Sequence, residues 1–591
     1  MRIAVFFWIL LGVWAWGDSN VTSKVPESTK EIIIQGNHAI ETSEYLDALG
    51  VKQKSWFAFW GDDKTIIAQK IIPRIPDTMR EFLDAKGYYD AKITLRSTAE
   101  SVTVTVKEDK PVRVSRMDIE SDFNITHIVS FEKQGRFEAG KFIAIKQAIK
   151  EALMKAGYCN YQLDTKAYVD LVKRTVALKY SLQKGELCHF GETTILSKPE
   201  NISERVIRSR IQYKKGEVFS TEKINRTFDA LNSLDAFGSG TVAPKEREEE
   251  ADVELKPSQT IPMEISLSPK EKRNLFKGGI GYDTALGMRL QLYYERRNFM
   301  GNAQKFTSTL HYSDKSKFGE ATFFSPALIA LNGDYFDLYS ELGFSHNIYN
   351  AYNENKGYWT VKLTYERDRI TADLGLGLEN IDIEKTENDP AIIEGNFLLL
   401  YPFANFVYDG RDSKIDPKNG YYFSAYAEYG LDYKPGASSY FKYLLEGRAI
   451  KTFGDLTLAT VGKVGVIDEL SGIVPASKLF YAGGAYSNRA YGEHEIGMVT
   501  SPVASSALGG KTWLNLSFEA DYPIYDKLYA ALFFDSTMIN QEAYDFHGQT
   551  INTLGVGVRY MTPIGPIKLD IGANIEDIDQ YGISFQIGQS F

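Results

Sequence analysis

The chain has 591 residues, too many for one ordinary domain, and its net charge of −10 excludes a generally basic nucleic-acid binder. Aromatic residues make up 13%, with 36 Tyr, 34 Phe and 48 Gly, a composition that behind an export signal points to a β-barrel of an outer membrane. Only two cysteines occur, Cys159 and Cys188, and with only His189 beside them they cannot build a structural zinc site.

The N-terminus reads MRIAVFFWILLGVWAWG. Arg2 is a positive n-region, Ile3 to Trp14 an apolar h-region, and Ala15-Trp16-Gly17 a small-residue exit. The apolar run is short for a membrane span, so residues 1–17 are expected to be a cleaved signal peptide, with the mature chain starting near Asp18. Export makes a disulfide between Cys159 and Cys188 chemically feasible; two unpaired buried thiols fit the sequence equally well.

Residues 30–258 mix helix and strand in a repeating order. The first cycle opens with KEIIIQGN, continues through a helical region from Ser43 to Lys86, and closes with DAKITLRS and SVTVTVKE. The second reads VRVSRMDIES, a helical IAIKQAIKEALMKAGY, then YQLDTKAY and RTVALKYSLQKG. The third reads HFGETTILSK, SERVIRSRIQ, EVFSTEKINRTFDALNSLDAF and a final ADVELKPS. Each cycle is expected as strand, helix, helix, strand, strand over about 75 residues. The spans are 28–108, 110–185 and 186–258. A helix-stopping Gly-Tyr step recurs at Gly87-Tyr88 and Gly157-Tyr158; the third cycle has Asp235-Ala236-Phe237 instead.

From about Asn274 the pattern changes to period two. In WLNLSFEAD, Leu514, Leu516, Phe518 and Ala520 share one side, and Asn515, Ser517, Glu519 and Asp521 the other. TLGVGVRYM and IKLDIGA alternate likewise, placing Arg559, Lys568 and Asp570 on the polar side. A sheet with a lipid face and a polar lumen face produces this alternation. Sixteen strands are expected within 274–591: 276–283, 288–297, 303–312, 317–325, 334–344, 357–366, 369–379, 395–407, 420–431, 438–451, 455–467, 511–522, 527–536, 550–560, 566–574 and 581–591. The connection 468–510 is by far the longest, and an ordered function is expected there.

Three stretches carry a family resemblance. YDGRDSKIDPKNGYYF contains Asp409, Arg411, Asp412, Pro417 and Gly420; FYAGGAYSNRAYG contains Arg489, Tyr491 and Gly492; GVGVRYMTPIGPIKLDIG lies near the C-terminus. Together they resemble the BamA/TamA outer-membrane assembly superfamily, in which periplasmic POTRA modules precede a sixteen-stranded barrel. The likeness covers essentially the whole mature chain. Three modules look most like the TamA branch, since BamA proteins usually carry five. Two-partner secretion transporters carry two modules after a plug helix and a proline-rich linker, and no such linker appears here; the Gly-x-Ser-x-Gly of patatin-type relatives is absent too.

The resemblance implies that the long loop folds back into the barrel, where Arg489 meets the lumen carboxylates Glu519 and Asp535. Its usual valine and glycine neighbours are Asn488 and Ala490 here, a departure that bears on the local turn. It also implies that Tyr581, Phe585 and Phe591 mark the last strand for assembly, and that Gly588 weakens the junction with the first strand. The expected function is then non-enzymatic insertion of outer-membrane proteins, autotransporters above all. A client strand would pair at that seam. Outer-membrane lipid and a TamB-like inner-membrane-anchored protein would be its partners. The alternative is a two-partner-secretion-type transporter of one exoprotein; a passive porin would not need the N-terminal modules. No nucleotide loop, metal-spaced cluster or nucleophile-base arrangement occurs, so neither a cofactor nor a metal nor nucleic acid is expected.

Overall fold

Period-two strands and four-residue helical spacing build three small α/β modules ahead of the barrel. The computed structural model describes residues 29–51, 65–245, 260–283, 287–349, 352–386, 392–432, 438–497, 508–525, 527–562 and 565–587. The expected signal peptide, the stretch 251–258, Gly588 and Phe591 lie outside these residues.

The first module comprises β1 (Thr29–Gln35), α1 (Thr42–Ala48), β2 (Ile66–Ala68), α2 (Ile75–Ala85), β3 (Lys92–Ser97) and β4 (Ser101–Lys107). β1 lies parallel to β4 and antiparallel to β2, while β3 pairs antiparallel with β4. Val102, Val104 and Val106 alternate inward from β4 and meet Ile75, Met79 and Leu83, spaced four apart on α2. The helical region expected over 43–86 is interrupted. β2 and a 3-10 turn, Gln69–Arg74, precede α2, because Pro73 cannot donate a helical hydrogen bond and Pro76 is tolerated only in a first turn.

Just past β4 the chain buries a carboxylate. Glu108 Oε2 accepts from the N–H groups of His38 (3.0 Å) and Ala39 (2.7 Å). Its Oε1 accepts from Ile40 N–H (3.1 Å) and from the Tyr45 hydroxyl (2.8 Å). Burial disfavours the charge, but the Tyr45 bond and the three N–H bonds outweigh it and hold the carboxyl below its usual range.

The second module comprises β5 (Arg113–Ser121), α3 (Ala139–Ala156), β6 (Gln162–Asp170) and β7 (Thr175–Gln183), with β5 parallel and β6 antiparallel to β7. It has one helix, not the two expected. Between β5 and α3 the Ser121 and Asn124 side chains bond backbone two residues on, a turn chemistry that competes with helix. Ile125, Val129 and Phe131 of this segment still enter the core. α3 ends at Gly157 with φ 99°, a left-handed conformation that favours glycine. Beyond it Cys159 joins Cys188 in a disulfide, Cα–Cα 6.0 Å.

The third module comprises β8 (His189–Ser197), α4 (Glu204–Arg208), α5 (Thr221–Ser233), β9 (Phe237–Pro244) and β10 (Thr260–Pro269), in sheet order β8-β10-β9. Its last described strand is β10, past residue 258, and the expected strand 251–258 lies outside the described residues. Met263, Ile265 and Leu267 of β10 alternate into the core. Where the earlier cycles have glycine, Asp235 takes φ 53° and pairs with Lys270 and Arg297.

The chain divides into two units: the first two modules with Cys188 and residues 218–221, and most of the third module with the barrel. Barrel strands β11 (Asn274–Asp283), β12 (Gly287–Arg297), β13 (Lys305–Tyr312), β14 (Ser316–Leu331), β15 (Asp334–Ile348), β16 (Tyr352–Arg367), β17 (Ile370–Lys385) and β18 (Gly395–Asp409) form its first half. The second half is β19 (Asn419–Asp432), β20 (Ser439–Phe453), β21 (Leu456–Ser471), β22 (Thr512–Tyr525), β23 (Leu528–Asn540), β24 (Ile551–Thr562), β25 (Gly565–Asn574) and β26 (Tyr581–Ile587). This is the sixteen-stranded antiparallel sheet expected, with every strand overlapping its expected segment.

The sheet is inside-out relative to a soluble core. Leu374, Leu376 and Leu378 stand exposed on the outer face of β17, while Asp373 and Glu379 are buried on the inner face. β22 to β25 repeat this, with Phe518, Leu532, Val556 and Ile571 outside and Glu519, Asp535, Arg559 and Asp570 inside. Apolar outside and charged inside is the pattern of a barrel solvated by lipid. No helix among the described residues is long and apolar enough to cross a membrane.

The third module is fastened to the short-turn rim of the barrel. Arg210 Nη2 lies 2.7 Å from Asp337 Oδ2 with both side chains buried, and the same carboxylate caps Ala327 N–H at 2.8 Å. Arg205 donates to the carbonyls of Ala327 and Leu328, and Asn302 exchanges backbone and side-chain bonds with Asn201 and Ser203. Ile202, Val206 and Ile207 share one core with Phe324 and Ala327 of β14.

Candidate functional site

Between β21 and β22 the described residues 472–497 turn back inside the barrel. Within this stretch a bridge between Gly484 and Asn488 makes a tight turn, and Ser487 Oγ locks it against Gly483. Asn488, fully buried, donates to Ile551 O (3.1 Å) and accepts from Thr553 Oγ1 (2.7 Å). Asn488 thus replaces the usual valine with polar contacts to β24.

Arg489 is the centre of the site. Its Nε and Nη2 donate to the two oxygens of Asp535, each at 2.9 Å, and its Nη1 lies 2.6 Å from Glu519 Oε2 and 3.3 Å from Asp570 Oδ2. The guanidinium carbon stands 3.4 Å from the ring centroid of Phe533. All four ionic side chains are at most 5% exposed. Such a fork-on-carboxylate arrangement in a dry site is strong and directional.

The structure thus brings Arg489, Glu519 and Asp535 together. It adds groups not expected as partners: Arg559 Nη2 lies 2.9 Å from Glu519 Oε1, Lys568 Nζ lies 3.5 Å from the same oxygen, and Arg559 also binds Asp570. Alternation had placed Arg559, Lys568 and Asp570 on the polar face, and that was the available signal. Of the other loop residues, the Tyr491 hydroxyl accepts from Asn574 Nδ2 at 2.8 Å. Gly492 N–H bonds Glu495 Oε2 within the loop at 2.7 Å.

A second anchor holds the near end of the loop. Lys478 Nζ lies 2.7 Å from Glu379 Oε2 on β17 and 4.0 Å from Glu428 Oε1 on β19, over the Tyr401 ring at 4.3 Å. Tyr401 and Tyr440 donate to these carboxylates at 2.7 and 2.9 Å, and Lys442 donates to Lys478 O at 2.8 Å. No sequence spacing links Lys478 to residues so distant, and sequence reasoning missed it.

The Asp409–Gly420 motif forms a self-contained turn at the other rim. Arg411 clasps Asp409 bidentately, Nε–Oδ1 and Nη2–Oδ2 both 2.9 Å, and lies 5.1 Å from the Tyr422 ring centroid. Asp412 caps the N–H groups of Lys418 (2.9 Å) and Asn419 (3.0 Å), just after Pro417. Gly420 has φ 131°, and a Cβ there would lie 2.5 Å from Gly410 O. These residues shape the entry to β19. Tyr581 and Phe585 of β26 both project outward, each 64% exposed.

Residues 298–591 match the Omp85 superfamily domain, and residues 28–109 match the POTRA family described as a surface antigen variable number repeat. The chain belongs to the Omp85 superfamily. Within Omp85 it is similar to "Outer membrane protein assembly factor BamA" of Buchnera aphidicola, 19% identical over 356 residues that are 54% of this chain and 56% of the relative. It is also similar to "Putative outer membrane protein assembly factor" of Treponema pallidum, at 23% identity, covering 43% of this chain and 31% of that one. The chain thus spans about half of the first relative's length and less of the second's. Its fold is that of BamA from Haemophilus ducreyi lacking POTRA domains 1–3, with TM-score 0.50 and 16% identity over 81% of this chain and 99% of that one. An Omp85 barrel with POTRA modules is an outer-membrane protein whose modules stand in the periplasm. The rim gripped by the third module is therefore the periplasmic one, and the long loop enters from outside the cell. Both curated relatives are outer-membrane protein assembly factors by name.

Proposed function

We propose that this chain is a TamA-type insertion factor that passes β-barrel and autotransporter clients into the outer membrane by strand pairing at the seam between β11 and β26. It works without chemistry of its own: client folding and a TamB-like periplasm-spanning partner supply the driving force, and outer-membrane lipid receives the product. The observation that carries this reading is the strand order. Ladders among the described residues of the barrel join consecutive strands only, so β11 and β26 stand at the two ends of the sheet. A strand with an unpaired row of N–H and C=O groups is a template for another chain. The three modules ahead of the barrel support the TamA branch, and the buried loop supports an insertase over an open pore.

The test is a seam lock. Gly279→Cys on β11 with Gly588→Cys beyond β26 should crosslink on oxidation, abolish client insertion and restore it on reduction. Full insertion by the locked protein would refute seam pairing. Co-purification of one dedicated exoprotein in place of a TamB-like protein would turn the reading to a two-partner-secretion-type transporter.

A further inference from the structure

The loop that carries Arg489 also touches the strand at the seam. Gly572 on β25 and Gly582 on β26 are directly paired, and both face the lumen. A Cβ on Gly582 would lie 2.5 Å from Arg489 O and 2.9 Å from Ala490 C; one on Gly572 would lie 2.9 Å from Thr553 Cγ2 and 3.2 Å from Arg489 C. No side chain larger than hydrogen fits at Gly582 while the loop stays where it is. Around this contact Gln580 Nε2 donates to Ala490 O at 3.0 Å, and Ala490 is fully buried.

We infer that Gly572 and Gly582 form a seat for the Arg489-Ala490 backbone, through which the lumen loop positions the last strand. Gly582 is thereby a positioning residue for the seam, a role that rests on the function proposed above. The loop side of the contact is rigid: Arg489 is bound to three carboxylates and Asn488 to β24. The strand side is weaker, since the described ladder of β26 is its seven pairs with β25. Pressure at the seat therefore moves the strand. Release of the loop removes the prop, and the same contact that sets the seam then lets it shift.

Hydrogen exchange of the 581–587 amides in folded, detergent-solubilised full-length protein tests this without any client. Gly582→Val should raise exchange there on the order of tenfold or more, because local opening becomes less costly. Gly447→Val on β20, where a Cβ meets no atom within 4 Å, should leave those amides at wild-type rates. Adding Arg489→Ala to Gly582→Val should return the 581–587 amides to the rates of Arg489→Ala alone, since the freed loop then yields. Should Gly582→Val not assemble, Gly582→Ala and Gln580→Ala are read in the same way, with smaller increases expected. Wild-type exchange in Gly582→Val, or in both milder variants, overturns the seat; so does a double variant that is the simple sum of its singles. A seat with no insertion activity leaves this inference standing and removes the proposed function instead.

Discussion

Asp535 takes three hydrogen bonds from a single residue. Arg489 donates Nε and Nη2 at 2.9 Å each, and its own backbone N–H at 3.1 Å. The fork fixes the side chain, and the N–H fixes the chain that carries it. One carboxylate on β23 therefore sets where the tip of a long loop lies, and through Gly582 where the last strand lies.

Replacing this arginine is the sharpest test. Arg489→Ala leaves Glu519, Asp535 and Asp570 facing one another, and breaking a buried pair from one side typically costs about 3–5 kcal/mol. The backbone ladder keeps the barrel, so the loss is expected as a protease-sensitive loop and reduced client assembly in membranes holding normal amounts of protein. Arg489→Lys should rescue poorly, because an ammonium cannot form the fork. Normal assembly by the alanine variant would return this arginine to a structural ornament of the lumen.

Lys478 should govern the other end of the loop. Lys478→Met strands Glu379 and Glu428, and the turn at 476–478 loses its tie to the wall. Limited proteolysis should cut around 472–480 while the Arg489 segment stays protected. A cleavage pattern identical to wild type would show that Lys442 and the Tyr401 ring suffice to hold the turn.

The first module should lose stability in acid. Glu108 has its carboxyl held below the unfolded value, so its contribution is complete above that value, near pH 4.3 for an ordinary glutamate, and is lost as pH falls through the lower folded value. Glu108→Ala strands three N–H groups and the Tyr45 hydroxyl at a cost of about 1–3 kcal/mol for each donor that water cannot reach. Thermal unfolding of the wild type against this variant should show a gap at neutral pH that narrows below about pH 4. A constant gap across that window would remove the linkage.

The disulfide should be quantitative. Alkylation of unreduced protein followed by mass spectrometry should label neither Cys159 nor Cys188, and two labelled thiols would contradict the bond. Closing a loop of 29 residues contributes about 3–4 kcal/mol in the chain-entropy account. Reduction should therefore lower the unfolding temperature of the periplasmic modules and leave that of the barrel unchanged.

The sequence by itself determined the architecture, because each strand announces its two faces locally. Alternation of apolar and polar residues marked all sixteen barrel strands, and it put Glu519, Arg559, Lys568 and Asp570 on the lumen side before any contact was known. The glycines after α2 and α3 marked two helix ends for an equally local reason. Only the tertiary structure decided which lumen charges meet. Strand register and the return of the long loop bring Lys478 to Glu379 and set Arg489 among three carboxylates rather than two, and neither pairing leaves a spacing in the chain. The same holds where local patterns competed: turn-forming Ser121 and Asn124 removed one expected helix from the second module. The contact of Gly582 with the Arg489 carbonyl is the extreme case. A glycine in a strand reads as weak packing until another backbone is seen to occupy the space its side chain leaves open.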